Sequence, residues 1–87
     1  MRAVALDSPV RLGAAVRAER ERTRQSQTGL AQQAGVTRQW LVLLESGRLA
    51  NPTLAPILRT LAALGLELQV AKSSGDNVDL DLLVGGS

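Results

Sequence analysis

Arg38 and Gln39 stand side by side in the stretch Thr37-Arg38-Gln39-Trp40-Leu41-Val42-Leu43-Leu44-Glu45, and both carry planar polar groups of the kind that reads a purine edge. A guanidinium forks onto guanine O6 and N7 or onto a phosphate. A glutamine amide pairs with adenine N6 and N7, and each good bidentate contact gives about 1–3 kcal/mol of discrimination. The alternative for both is solvated polar surface. Leu43, one helical turn after Gln39, presents an apolar end that touches a thymine methyl or else, like Val42, covers a subunit or arm contact. Trp40 falls at the edge between core and groove, a packing position first and a base contact second. Gln27 opens another helical stretch, where N-terminal amides and the positive dipole end suit a phosphate that its own amide also clamps.

Such side chains need a scaffold, and the surrounding residues supply one. From Ser26 to Arg48 the chain reads as two short helices joined by a tight glycine turn, each opened by a polar cap. That is a helix-turn-helix, which makes DNA the first partner to consider. Ala31 is small where a second helix crosses, Gly35 supplies the permissive backbone of the turn, Val36 is an apolar plug, and Thr37 caps the next helix. On a 100° wheel of that helix Leu41 and Leu44 point to the core, while Arg38, Gln39, Val42 and Leu43 point away. Ser8-Pro9 starts an earlier helix reaching about residue 23, with Leu12 and Val16 inward and Arg17/Glu21 as an i,i+4 pair. Thr53 caps a last helix in which Leu54, Ile57, Leu58, Leu61 and Leu64 repeat until Gly65. Residues 66–71 then alternate as a half-buried strand, with Leu66, Leu68 and Val70 on one side. It has no ladder partner at home unless the arm, residues 1–7, supplies one.

Composition narrows the function further. The 87 residues make one thin-cored domain, since a chain this short buries only about 60% of its unfolded surface. Neither Cys nor His occurs, which removes disulfides, thiol nucleophiles, imidazole bases and the usual zinc sites. Glu19, Glu21, Glu45 and Glu67 show no pairing signature, and no phosphate loop or metal cluster is legible, so neither an enzyme nor a cofactor is expected. Apolar runs fall far short of the roughly 18 residues of a membrane span, and a cytoplasmic location follows as the expectation. The net charge of +2 is unevenly spread. Up to Gly65 arginines outnumber carboxylates, whereas Lys72 faces Glu67, Asp76, Asp79 and Asp81, so a basic body suited to phosphates carries an acidic tail.

Taken as a set, Ser26-Gln27, Leu30-Ala31, Gly35-Val36-Thr37, Glu45, Gly47-Arg48 and Pro52-Thr53-Leu54 resemble the Xre-type helix-turn-helix family of phage repressors over residues 8–65. The continuation Leu64-Gly65-Leu66-Glu67-Leu68-Gln69-Val70, with Arg38-Gln39-Trp40-Leu41 and the acidic tail, is similar more narrowly to HipB-type antitoxins. The resemblance implies an all-α, lambda-repressor-like domain of four to five helices with a C-terminal β-strand for dimerisation. It further implies that Thr37 reaches the DNA backbone, that Arg48 and Asn51 add phosphate contacts, and that Arg20 and Glu45 form an ion pair locking the first helix to the recognition helix. Arg24-Gln25 stands where relatives carry a Gly-apolar pair, and Gly29 replaces a good helix former at a cost of about 1 kcal/mol.

The resulting expectation is a homodimer that binds a pseudo-palindromic operator, represses its own operon and neutralises a HipA-type kinase toxin. The tail, residues 72–87, would dock on that toxin through Val78, Leu80, Leu82 and Leu83. A stand-alone repressor without a toxin, or an interaction module that has lost DNA binding, are the alternatives.

Overall fold

The computed structural model describes residues 2–4 and 8–69. Its elements run β1 (Arg2–Val4), α1 (Pro9–Arg22), α2 (Gln27–Ala34), α3 (Arg38–Glu45), α4 (Leu54–Ala63) and β2 (Leu66–Leu68). Three of the four helices open as their polar residues dictate. Ser8 Oγ accepts the Arg11 amide at 3.0 Å, Ser26 Oγ the Gly29 amide at 2.9 Å, and Thr37 Oγ1 the Trp40 amide at 3.0 Å, each satisfying an orphan donor of a first turn. Thr53 departs from this pattern. It holds the N-cap position of α4 with extended backbone, but its side chain makes no capping bond.

The core forms where the apolar faces of the helices converge. Leu12 and Val16 from α1, Leu30 and Ala31 from α2, Leu41 and Leu44 from α3, Ile57 and Leu61 from α4, and Leu64 and Leu66 beyond it make one cluster. Leu30, Leu41 and Leu61 are all but inaccessible, and each such burial contributes about 1.5–3 kcal/mol. The α4 repeat therefore splits: Ile57, Leu61 and Leu64 face inward, while Leu54 and Leu58 are exposed.

Close approach of α1 to α3 depends on Gly13. A Cβ at that position would lie 2.1 Å from the carbonyl oxygen of Leu44, a backbone atom that cannot swing aside. Between α1 and α2, Arg24 sits at a φ of 59°, the left-handed region that a glycine enters freely and that costs another residue about 1–2 kcal/mol.

The arm supplies the ladder partner that alternation alone left open. Among the described residues β2 covers Leu66–Leu68, with Gln69 outside it, and it has a partner within the chain: β1 pairs with it in parallel, Arg2 opposite Leu66, Ala3 opposite Glu67 and Val4 opposite Leu68. Three residues are too few to display a period, which is why the arm gave no strand signal. Leu66 is buried and Leu68 packs on the core. Val70 and the tail residues Val78, Leu80, Leu82 and Leu83 lie outside the described residues.

Candidate nucleic-acid interface

The turn that separates α2 from α3 is built on Gly35, whose φ of 72° ends α2 in the left-handed conformation. Its amide and that of Val36 close back onto the carbonyls of Gln32 and Ala31 at 3.3 and 3.0 Å. Val36 packs against the core, Thr37 caps α3, and Leu41 and Leu44 anchor the buried side of that helix. Arg38 and Gln39 are left exposed on its first turn, as the wheel requires. Val42 and Leu43 are half-buried, and neither is part of the buried cluster or of the partly buried residues packed against it. Trp40 is half-buried against the core, in keeping with packing as its main role.

A continuous polar chain links the helices behind this face. Arg20 on α1 grips Glu45 at the end of α3 with both prongs, Nε to Oε2 at 2.7 Å and Nη2 to Oε1 at 3.0 Å. Its remaining Nη1 donates to the carbonyl of Gln25 at 2.9 Å. The side chains are only 12% and 4% exposed, so water does little to weaken the pair. Hydrogen bonding to Glu45 raises the Arg20 pKa above its ordinary value, outweighing the lowering effect of burial.

Glu45 Oε1 also accepts from Gln27 Nε2 at 3.2 Å, and Gln27 Oε1 in turn accepts from Arg38 Nη2 at 3.4 Å. Arg20, Glu45, Gln27 and Arg38 thus form a relay from α1 through the end of α3 and the start of α2 to the first residue of α3. Both ends of the Gln27 amide are engaged within the protein. A phosphate clamp by Gln27 would draw on the second hydrogen of Nε2, because Oε1 only accepts and is the atom that meets Arg38.

Beside the relay lies a cleft of about 350 Å³ lined by Arg17, Arg20, Gln27, Val42, Glu45 and Ser46. Arg17 is exposed and makes a loose i,i+4 contact to Glu21, Nε to Oε2 at 3.4 Å. Arg48 and Asn51 are exposed in the loop after α3, Asn51 at a φ of 49°, a conformation that residue tolerates well. The Arg48 amide closes α3 by bonding the carbonyl of Leu43 at 3.0 Å.

Two groups that build the site were not singled out in the sequence. One is Gly13, described above. The other is Arg59 of α4, which donates to the turn carbonyls of Ala34 and Gly35. Its signal was present, for it is the single charge in the apolar segment Leu54–Ala63. Among the described residues no group of acidic side chains could hold a metal ion, and no helix is long and apolar enough to cross a membrane.

Among curated proteins the chain has no significant match. Over residues 11–72, a span that holds α2, the Gly35 turn, α3 and the whole relay from Arg20 to Arg38, it matches the sequence profile of the helix-turn-helix domain family, and it belongs to that family.

Proposed function

We propose that this protein is a sequence-specific DNA-binding repressor in which α3 enters the major groove and the start of α2 meets the backbone. The observation that carries this reading is the exposed Arg38–Gln39 pair on a helix whose buried side is fully anchored, with Arg38 joined through Gln27 to the Arg20–Glu45 lock. Gln39 makes the adenine-type contact, Arg38 the guanine or phosphate contact, and Thr37, Arg48 and Asn51 position the backbone. Leu43, and Trp40 at its margin, border the same groove.

The test is binding to DNA from upstream of the gene and to random DNA over a series of salt concentrations. Gln39→Ala is expected to weaken operator binding by about 1–3 kcal/mol and leave random DNA unaffected. Gln27→Ala is expected to weaken both alike. Equal losses on both DNAs for Gln39→Ala would remove Gln39 from the reading face.

The finer reading is a dimeric antitoxin. Dimerisation through the open edge of β2, flanked by Leu66 and Leu68, would bring two recognition helices to half-sites about 34–36 Å apart on a pseudo-palindrome. Exposed Leu54 and Leu58 on α4 support a second copy as something to cover. The acidic and apolar tail supports a HipA-type kinase toxin as partner, docked through Val78, Leu80, Leu82 and Leu83. A chain ending at Lys72 should keep operator binding and lose part of its hold on the toxin. Unchanged toxin affinity by calorimetry would leave a stand-alone repressor as the better reading.

A further inference from the structure

We infer that Arg59 is a positioning residue for the recognition helix, a clamp on the turn itself, an inference that rests on the reading of α3 as the DNA-contacting element. Its Nε donates to the Ala34 carbonyl at 3.0 Å and its Nη2 makes a longer contact to the Gly35 carbonyl at 3.5 Å. These carbonyls belong to the last residue of α2 and to the glycine that caps it, three residues ahead of α3. A helix end leaves such groups without intrahelical partners, and the turn amides close only onto Ala31 and Gln32. The fork from α4 meets the carbonyl of Ala34, the last residue of α2, and that of Gly35, its cap.

Charge points the same way. The last turn of α2 carries no basic residue of its own, so the negative end of its dipole is met by a cation that sits 25 residues away in the chain. The guanidinium reaches Gly35 closely enough that a Cβ there would lie 3.7 Å from Nε. Trp40 shares the cleft, about 460 Å³ in volume, with Arg59, Gly35, Val36, Thr37 and Pro56. α4 touches no residue of the reading face through this contact, yet it fixes the backbone from which Thr37, Arg38 and Gln39 project. A planar fork suits two adjacent carbonyls, whereas an ammonium on a flexible stem bonds one at a time.

Arg59→Met keeps the apolar stem and removes the donors, and Arg59→Lys keeps the charge and removes the fork. Both are compared with the parent in the free state, by amide NMR of residues 35–38 and by the emission and indole signal of Trp40, the protein's one aromatic residue. Both are then titrated with operator and random DNA well below the unfolding temperature. In the free protein the turn amides and the Trp40 indole are expected to shift in both variants. Operator affinity is expected to fall about tenfold in Arg59→Met. Arg59→Lys should bind random DNA as the parent does and recover only part of the operator affinity. Free-state spectra matching the parent, or full operator affinity in Arg59→Lys, would overturn the clamp. Should Arg59→Met fail to fold, the lysine variant alone decides between these outcomes. Failure of the DNA reading looks different: the parent itself would not prefer operator, while the free-state spectra would still report on the clamp.

Discussion

Glu45 accepts three hydrogen bonds, two from Arg20 and one from Gln27, with its side chain 4% exposed. A carboxylate so enclosed is costly to disturb. Truncating it strands a guanidinium that is itself mostly buried, and losing one partner of such a pair costs about 3–5 kcal/mol. For a domain this small each kcal/mol moves the thermal midpoint by roughly 4–8 °C, so Glu45→Ala should melt far below the parent by circular dichroism. The double variant Arg20→Met/Glu45→Leu, which leaves no charge unpaired, should recover much of the loss. A double variant no more stable than Glu45→Ala would show that the pair is not the source of the effect. The pH dependence of this lock has a definite sign. Glu45 raises the Arg20 pKa, so the stabilisation is complete below the ordinary arginine value and fades only as pH climbs through the still higher folded value. With no His or Cys in the chain to titrate instead, thermal midpoints between about pH 6 and 9 should stay flat, and a step in that window would mean another group controls folding. At this scale the sequence showed much of the site, because Arg20, Gln27 and Glu45 fall at motif positions. It could not show that Gln27 bridges Glu45 to Arg38, since that depends on rotamers chosen only after α2 and α3 are packed.

Helix boundaries were the most legible elements. Ser8, Ser26 and Thr37 are capping residues ahead of apolar spacing, and each bonds the amide three residues on. Thr53 has the same chemistry without the bond, and β1 was too short to carry a period. Least visible was the crossing of α1 on α3. The sequence pointed to Ala31 as the small residue at a close approach, and Ala31 is buried between helices, but at Gly13 the approach is so close that no Cβ fits. Nothing local marks it, for a glycine in the middle of a helix looks merely unfavourable until the neighbouring backbone is in place. The prediction belongs to the pair of helices. Gly13→Ala should gain about 1 kcal/mol of helix propensity in α1, yet a methyl driven toward the Leu44 carbonyl must push the helices apart, and overpacking of this kind costs about 1–3 kcal/mol or more. A net fall in the denaturant midpoint is therefore expected, together with weakened Arg20–Glu45 contact, because the same two helices carry that pair. If Gly13→Ala proves more stable than the parent, the crossing is looser than 2.1 Å implies.

For the molecule as a whole, the β1–β2 ladder changes how association should be sought. Removing the chain from residue 66 onward would strip buried Leu66 from the core and β1 of its partner, so loss of a dimer after such a cut would not distinguish an interface from an unfolded domain. Among the described residues the two-stranded sheet leaves β2 one unpaired edge, and an open edge is a template for another strand. Antiparallel pairing of two β2 strands about a two-fold axis sets one position opposite its own copy, with Cβ atoms about 4.5–5.5 Å apart, the closer of which a disulfide spans. The parent has no Cys, so a single introduced thiol reports without background. With Leu66 buried, Glu67→Cys, Leu68→Cys and, just past the strand, Gln69→Cys test three accessible centres, and Gln33→Cys, exposed on α2, serves as a control for random collision. Under mild oxidation at micromolar concentration, one of the three should form a disulfide-linked dimer much faster than the control, and sedimentation of the unmodified parent should show the dimer mass. Cross-linking of all three at the control rate, with a monomer in the centrifuge, would leave β2 as part of the core alone and place the two-fold contact, if there is one, on the exposed leucines of α4.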